Sequence, residues 1–205
     1  MAYDKSLVAG KLRRWEKYLD RYRLPTWEQI PNIGLYMEQV IALLKQYLDY
    51  LPPELKEEQF ITASTINNYV RTKIMPEPIK KRYYRVHIAY LLIICTLKQG
   101  LSIALIQKVL PIGLSDEELH QRYDVYARRH RLAAVFFIEQ IRHLAGPILD
   151  HADADRYSSD TTEELIVSSV VLGGLSRLLA EKLLLLEGKD LSDGGSITID
   201  GSPSA

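Results

Sequence analysis

The residues of this chain best suited to contact chemistry lie between positions 61 and 85. Ile61-Thr62 is followed by ASTINNYVRTKI, where Ile66, Tyr69, Val70 and Ile74 recur at helical spacing, which predicts one buried stripe. That spacing leaves Ser64, Thr65, Asn67, Asn68, Arg71 and Lys73 on the outer surfaces. Hydroxyls, carboxamides and cations are the side chains that bond base edges and phosphates. Thr62 stands where its hydroxyl can accept from the free amides of a first turn, so it reads as the N-cap. Met75-Pro76-Glu77-Pro78 ends the helix, and IKKRYYR follows as a short basic segment with the look of a small wing. From Arg71 to Arg85 the cations are Arg71, Lys73, Lys80, Lys81, Arg82 and Arg85, against the single acid Glu77. The whole chain carries 26 basic and 26 acidic residues, so this cluster is a local excess, and phosphate is its natural counterpart.

Other chemistries are poorly supplied. His143, Asp150, His151, Asp153 and Asp155 resemble metal ligands in type only, because no HExxH, facial-triad or paired-Cys spacing accompanies them; they read as a polar loop. The single cysteine, Cys95, lies inside the apolar run AYLLIICTL and reads as a small core residue, which excludes an intrachain disulfide framework. No Gly-rich phosphate loop, GxSxG elbow or Ser, His and acid arrangement is present, so neither an enzyme nor a cofactor is expected.

The elements that would hold the basic cluster in place are helices. With 205 residues, 47% hydrophobic and 25% charged, most of the chain should fold around one or two cores. Residues 5–22 carry Leu7, Leu12, Trp15, Tyr18, Leu19 and Tyr22 at helical steps with basic residues between them. The segment PTWEQIPNIG predicts an extended connector, with Trp27, like Trp15, a core anchor. Residues 35–51 repeat apolar positions every three or four until Pro52-Pro53, and PPELKEEQF reads as an exposed loop or short helical turn. A helix over 86–98 should end at Gly100 in a left-handed cap, and Ser102 should cap a short helix through Leu110.

At this point the sequence resembles a family. ITASTINNYVRTKIMP, then KRYYRVHIAYLLIICTLKQGLSIALIQKVL, is similar to the DNA-reading half of MerR-type regulators: a capped helix with a central tyrosine, a proline, a wing ending in paired aromatics, a long helix and a Gly-aliphatic-Ser restart. Over a longer stretch, from LYMEQV through INNYV, PIKKRYYRVHIAYL and LKQGLSI, the chain also resembles an uncharacterised bacterial domain-of-unknown-function family that is itself MerR-like. The MerR resemblance implies base contacts from Ser64, Thr65, Asn67 and Asn68, and phosphate contacts from Arg71, Lys81, Arg82, Tyr83 and Arg85. Tyr69 and Tyr84 occupy aromatic positions of the motif that serve packing or contact. The long charged segment 52–60, a short wing and the Asn67-Asn68 pair depart from the family pattern.

Beyond residue 116, Leu119, Tyr123, Tyr126, His130, Ala133, Phe137, Ile141 and Leu144 follow three- and four-residue steps with one slip near Phe137. That pattern fits a coiled-coil seam, which the resemblance places at a dimer interface, or packing within one chain. After a break at Gly146-Pro147, Thr161 or Thr162 should cap a last helix that is apolar on most sides and expected to lie buried between helices or between subunits. Its most apolar stretch, 165–175, is too short to cross a membrane.

The resulting expectation is an all-α chain: a MerR-like winged helix-turn-helix domain with added N-terminal helices and a C-terminal helical dimerisation region. Its parts are 1–33 (amphipathic helix and connector), 34–112 (helix-turn-helix domain), 113–187 (dimerisation or effector region) and 188–205 (disordered tail). The expected partners are double-stranded DNA, a second copy forming a homodimer, and any small-molecule effector between helices. No membrane partner is expected, and the absence of a signal-like N-terminus together with the lone cysteine fits a cytoplasmic protein. The alternative is an interaction or assembly module that keeps the helix-turn-helix scaffold without reading DNA.

Overall fold

The fold is a set of helices arranged around α4, Arg85–Leu97, a strongly apolar helix. The computed structural model describes residues 3–50, 61–150 and 157–188. In chain order the helices are α1 Lys5–Arg21, α2 Met37–Tyr47, α3 Ala63–Arg71, α4, α5 Ile103–Val109, α6 Asp116–Leu144, α7 Gly146–Leu149 and α8 Thr162–Leu185. No strand is present among the described residues; two isolated bridges, Leu35 with Tyr83 and Ile79 with Arg82, are the only β pairing there.

Local signals set most helix ends. Asp4 accepts from the Leu7 amide at 2.7 Å, Thr62 from the Thr65 amide at 3.1 Å, and Ser115 and Thr161 form reciprocal capping boxes with Glu118 and Glu164. Ser102 stands at the N-cap position of α5, but its hydroxyl makes no cap bond. Gly100 is not left-handed: α4 leaves through Lys98 in the right-handed region, and one more turn carries the Gly100 and Leu101 amides onto the Leu97 carbonyl. Gly146-Pro147 does not simply break the chain but starts the single turn of α7, proline lacking the amide that a first turn leaves unbonded anyway.

Nine consecutive residues of α4, His87 to Cys95, are buried. The core around them runs from Leu24, Trp27 and Ile30 through α2 and α3 to Leu119 and Tyr123 of α6, across the expected divisions at 33/34 and 112/113. The connector joins it by specific bonds: Trp27 stacks on His120 with ring centroids 4.8 Å apart, and the Tyr123 hydroxyl donates to the Pro25 carbonyl at 2.8 Å. Trp27 is the anchor expected. Trp15 is 39% exposed and packs edge-on against Phe137.

Helix α6 turns part of its seam inside the chain, while Ala133 and Phe137 of that seam are exposed. Leu119, Tyr123, Ile138, Ile141 and Leu144 are buried, with α1 alongside through Arg131 to Asp20 at 3.1 Å and Arg142 to Glu16. The slip near Phe137 resolves in favour of Ile138, leaving Phe137 39% exposed. A second, small core forms where Ala9 of α1 meets Leu144, Ala145, Ile148, Leu149 and Leu165. Leu165 is the only buried residue of α8, so that helix is not buried between the described helices. None of the described helices is long and apolar enough to cross a membrane. The segments 51–60 and 189–205, and with them the expected charged loop and disordered tail, lie outside the described residues.

Candidate nucleic-acid interface

Helix α3 is short, nine residues, and its two faces separate cleanly. Ile66 and Tyr69 face the core, and Ile74 and Met75 bury the chain just after the helix. Ser64, Asn67, Asn68, Arg71, Thr72 and Lys73 are exposed. Thr65 is half-buried, with its hydroxyl 2.9 Å from that of Thr62, so it belongs to the cap rather than to an outward reading surface. On the exposed face the Arg71 guanidinium donates to Asn68 Oδ1 at 2.8 Å, one turn back along the helix. Asn67 and Ser64 bond no other described side chain, and their donors and acceptors face outward. The Tyr69 hydroxyl is buried without a described partner, and burial raises its pKa well above the ordinary value.

The wing is the tightest form the backbone permits. Ile79 and Arg82 exchange both amide–carbonyl bonds, at 3.0 and 2.9 Å, around a two-residue tip. Lys80 and Lys81 both have positive φ, 48° and 61°, the conformation of a type I′ turn. Such turns favour Asn-Gly, because a β-carbon in the left-handed region costs about 1 kcal/mol or more. This chain instead sets two lysines at the tip, both exposed, with no ion-pair partner among the described residues. Lys73, also exposed, follows the C-cap of α3 with φ 54°.

The remaining cations of the cluster serve the fold. Arg82 lies over the Tyr36 ring at 3.6 Å, donates to the Gly34 carbonyl at 3.1 Å, and bonds the Tyr36 hydroxyl. Glycine at position 34 eases this approach, since a β-carbon there would come to 3.0 Å from the Arg82 β-carbon and 3.1 Å from the Tyr84 ring, and its neighbours would have to shift. Arg85 donates to the Ile30 carbonyl at 2.8 Å. Tyr83 pairs its backbone with Leu35 at 2.8 and 2.9 Å and is 3% exposed, so it packs instead of reaching out to a phosphate. Tyr84 begins α4 with its amide donating to His87 Nδ1 at 3.0 Å, while His87 Nε2 lies 2.9 Å from the Glu77 carbonyl; these two bonds fix the Nε2–H tautomer and tie the wing to α4.

Of the eleven residues singled out by sequence, seven (Ser64, Asn67, Asn68, Arg71, Lys73, Lys80 and Lys81) are exposed and four (Thr65, Arg82, Tyr83 and Arg85) are engaged in the fold. Gly34, Tyr36 and His87, which brace the wing, carried no chemical motif of their own; only the structure shows them. Elsewhere a groove of about 560 Å³ opens between α4, α5 and α6, lined by Ile93, Val109, Leu110, Val125 and Tyr126 with Arg122 and Arg129 at its side. No group of three or more His, Cys, Asp or Glu residues that could hold a metal occurs among the described residues.

Residues 25–128 match the model of a family described as a domain of unknown function, DUF1836. The match covers the connector, α2, α3, the wing, α4, α5 and the first part of α6, and stops before α7 and α8. No curated protein and no solved structure matches the chain.

Proposed function

The chain belongs to the DUF1836 family, and we propose that it is a DNA-binding transcriptional regulator, MerR-like in its reading unit, that works as a homodimer on an inverted repeat. In this reading α3 enters a major groove with Ser64, Asn67 and Asn68 towards base edges, Arg71 and Lys73 flank it, and the Lys80–Lys81 tip meets the phosphate backbone. The observation that carries the proposal is the turn. Two lysines hold a backbone conformation that favours other residues, in a chain with no net charge, beside a capped helix whose exposed face is polar. Strain of this kind is retained where function requires the side chain. The groove between α4, α5 and α6 is where a small-molecule effector would enter.

The test is selection of bound sequences from a random DNA pool at a fixed moderate salt concentration. Enrichment of an inverted repeat is expected. Lys80→Ala with Lys81→Ala should weaken binding to every sequence and reduce the slope of log K against log salt by up to about 2. Asn67→Ala should instead relax discrimination at one base pair, by about 1–3 kcal/mol. No enrichment from 50 mM salt upward, or indifference to both variants, sinks the reading. The second reading, an interaction or assembly module without DNA contact, is favoured by one observation, the uncovered apolar surface of α8.

A further inference from the structure

The groove between α4, α5 and α6 pairs an apolar lining with unanswered positive charge. Ile93 of α4 and Leu110, just past α5, are its buried residues, and Val109 of α5 and Val125 of α6 stand beside them, 40% and 48% exposed. The Tyr126 ring completes the lining, with its hydroxyl already bonded to that of Thr96. At about 560 Å³ the groove has the size of a small-molecule site, which runs from about 300 to 1,000 Å³.

Its polar groups divide into engaged and free. Glu118 Oε2 accepts from both the amide and the hydroxyl of Ser115 at 2.8 Å, and the Gln121 side chain donates to Glu117 at 2.8 Å. Arg122 and Arg129 make no hydrogen bond or ion pair among the described residues, whereas Arg131 and Arg142 of the same helix are held by Asp20 and Glu16. The two free arginines are two turns apart on one side of α6, about 10 Å along its axis. They are not equivalent. Arg122 has Glu118 one turn before it, which offsets its charge, while the residues one turn either side of Arg129 are Val125, Tyr126, Leu132 and Ala133. Arg129 is therefore a guanidinium among apolar side chains with no acid beside it on its helix. A long apolar body with a single anionic head answers both halves of this site. A cationic head would be repelled, and a neutral one would leave Arg129 unanswered.

We propose that this groove binds a free fatty carboxylate. The Arg129 guanidinium takes the carboxylate in a two-pronged hydrogen bond, and the acyl chain lies over Ile93 and Leu110 between Val109 and Val125. The wall it touches is bonded to the reading helix. Gln107, two residues before Val109, donates to the carbonyls of Thr72 and Lys73 at the end of α3, at 3.3 and 3.4 Å. A chain seated against Val109 thus has a direct route to α3, and shifts DNA affinity to the extent that it binds one placement of α5 better than another. This regulatory half rests on the DNA-reading proposal; the binding half does not.

The experiment is equilibrium dialysis of the full chain against dodecanoate kept below its micelle concentration. One saturable site per chain is expected, with decanoate weaker by about two- to fourfold per methylene removed and dodecyltrimethylammonium not bound. Arg129→Gln should weaken dodecanoate at least tenfold without moving the unfolding curve, because the exposed guanidinium has no partner in the fold to lose. Arg128→Gln, next to it but outside the groove, should change nothing. Val109→Asp removes part of the apolar wall and should also abolish binding. No saturable site, equal binding of the cationic amphiphile, indifference to Arg129→Gln, or equal losses from the two arginine variants would each overturn the proposal. So would association seen only with phosphatidylcholine vesicles carrying oleate, or a dimer that ignores dodecanoate and dissociates on Val109→Asp, which would give the groove to a second copy. DNA selection with and without dodecanoate keeps the two readings apart. A chain that enriches a sequence but binds no dodecanoate ends only the ligand proposal, and one that binds dodecanoate but enriches nothing ends only the DNA reading. Binding of both with no effect of one on the other ends the regulatory half.

Discussion

Helices α4 and α8 are alike as sequences and opposite in circumstance. Both are long apolar runs, RVHIAYLLIICTL and LIVSSVVLGGLSRLL, and either composition predicts burial on most sides. Helix α4 achieves it within the chain, with nine successive residues covered by α2, α3 and α6. Helix α8 buries Leu165 alone. The difference lies in whether local choices and tertiary surroundings agree. In α4 they agree at each position. In α8 the glycine pair and the exposed leucines, and in the wing the two left-handed lysines, are unfavourable choices that nothing in the described chain repays. Such conflicts collect where a molecule meets something else.

The largest effect is expected from a single truncation in each helix. Leu92→Ala empties a site that is 0% exposed at the centre of the core and should destabilise the fold by about 2–5 kcal/mol. Leu175→Ala, at 58% exposure, should leave stability within about 0.5 kcal/mol. Denaturant unfolding at low protein concentration measures both. Equal losses would mean that α8 is held by its own chain, and the contrast between the helices would disappear.

A smaller effect of opposite sign is expected at the wing. Lys81→Gly relieves a β-carbon at φ 61° and should stabilise the fold by about 0.5–1 kcal/mol while weakening DNA retention. A stability gain without loss of binding would leave the strained lysine unexplained. A loss of stability would mean that the turn is held by contacts of the lysine stem.

Much of this molecule was legible in its sequence because the informative signals were local. Thr62 and Thr161 cap the helices their positions announced, the apolar steps of 66, 69 and 74 mark the buried face of α3, and Cys95 is a core residue. What stayed hidden depends on distant partners. Charge alone could not separate Lys80 and Lys81 from Arg82 and Arg85, since Arg82 is claimed by Gly34 and Arg85 by Ile30, 48 and 55 residues away. The α6 repeat fitted a seam to a second copy as well as packing within one chain, and Leu119, Tyr123, Ile141 and Leu144 are buried within the chain while Ala133 and Phe137 are exposed. Gly100 looked like a left-handed cap, yet the chain continues through a further turn.

The smallest effect belongs to the closed region and shows what enclosure costs it. His130 of α6 sits among Tyr22, Tyr50 and Tyr126, with Nε2 3.2 Å from the Tyr50 hydroxyl. Burial lowers its pKa below the ordinary 6.5. The three tyrosines cannot compensate a charge there near neutrality, since burial raises all of their pKa values, that of Tyr126 to about 12. The folded protein therefore holds fewer protons at this site than the unfolded chain just below pH 6.5, and unfolding takes a proton up. Stability should be full above the ordinary histidine range, fall as the pH drops below about 6.5, and level off once the pH passes the lowered folded value. The slope is bounded by one proton, about 1.4 kcal/mol per pH unit. His130→Phe keeps a ring in the cluster and removes the titration, so subtracting its stability profile from that of the wild type between pH 5 and 8 isolates the contribution. A difference that grows in favour of the wild type towards acid would mean that His130 is charged in the fold, and that the aromatic cluster beside α4 is open to water much as α8 is.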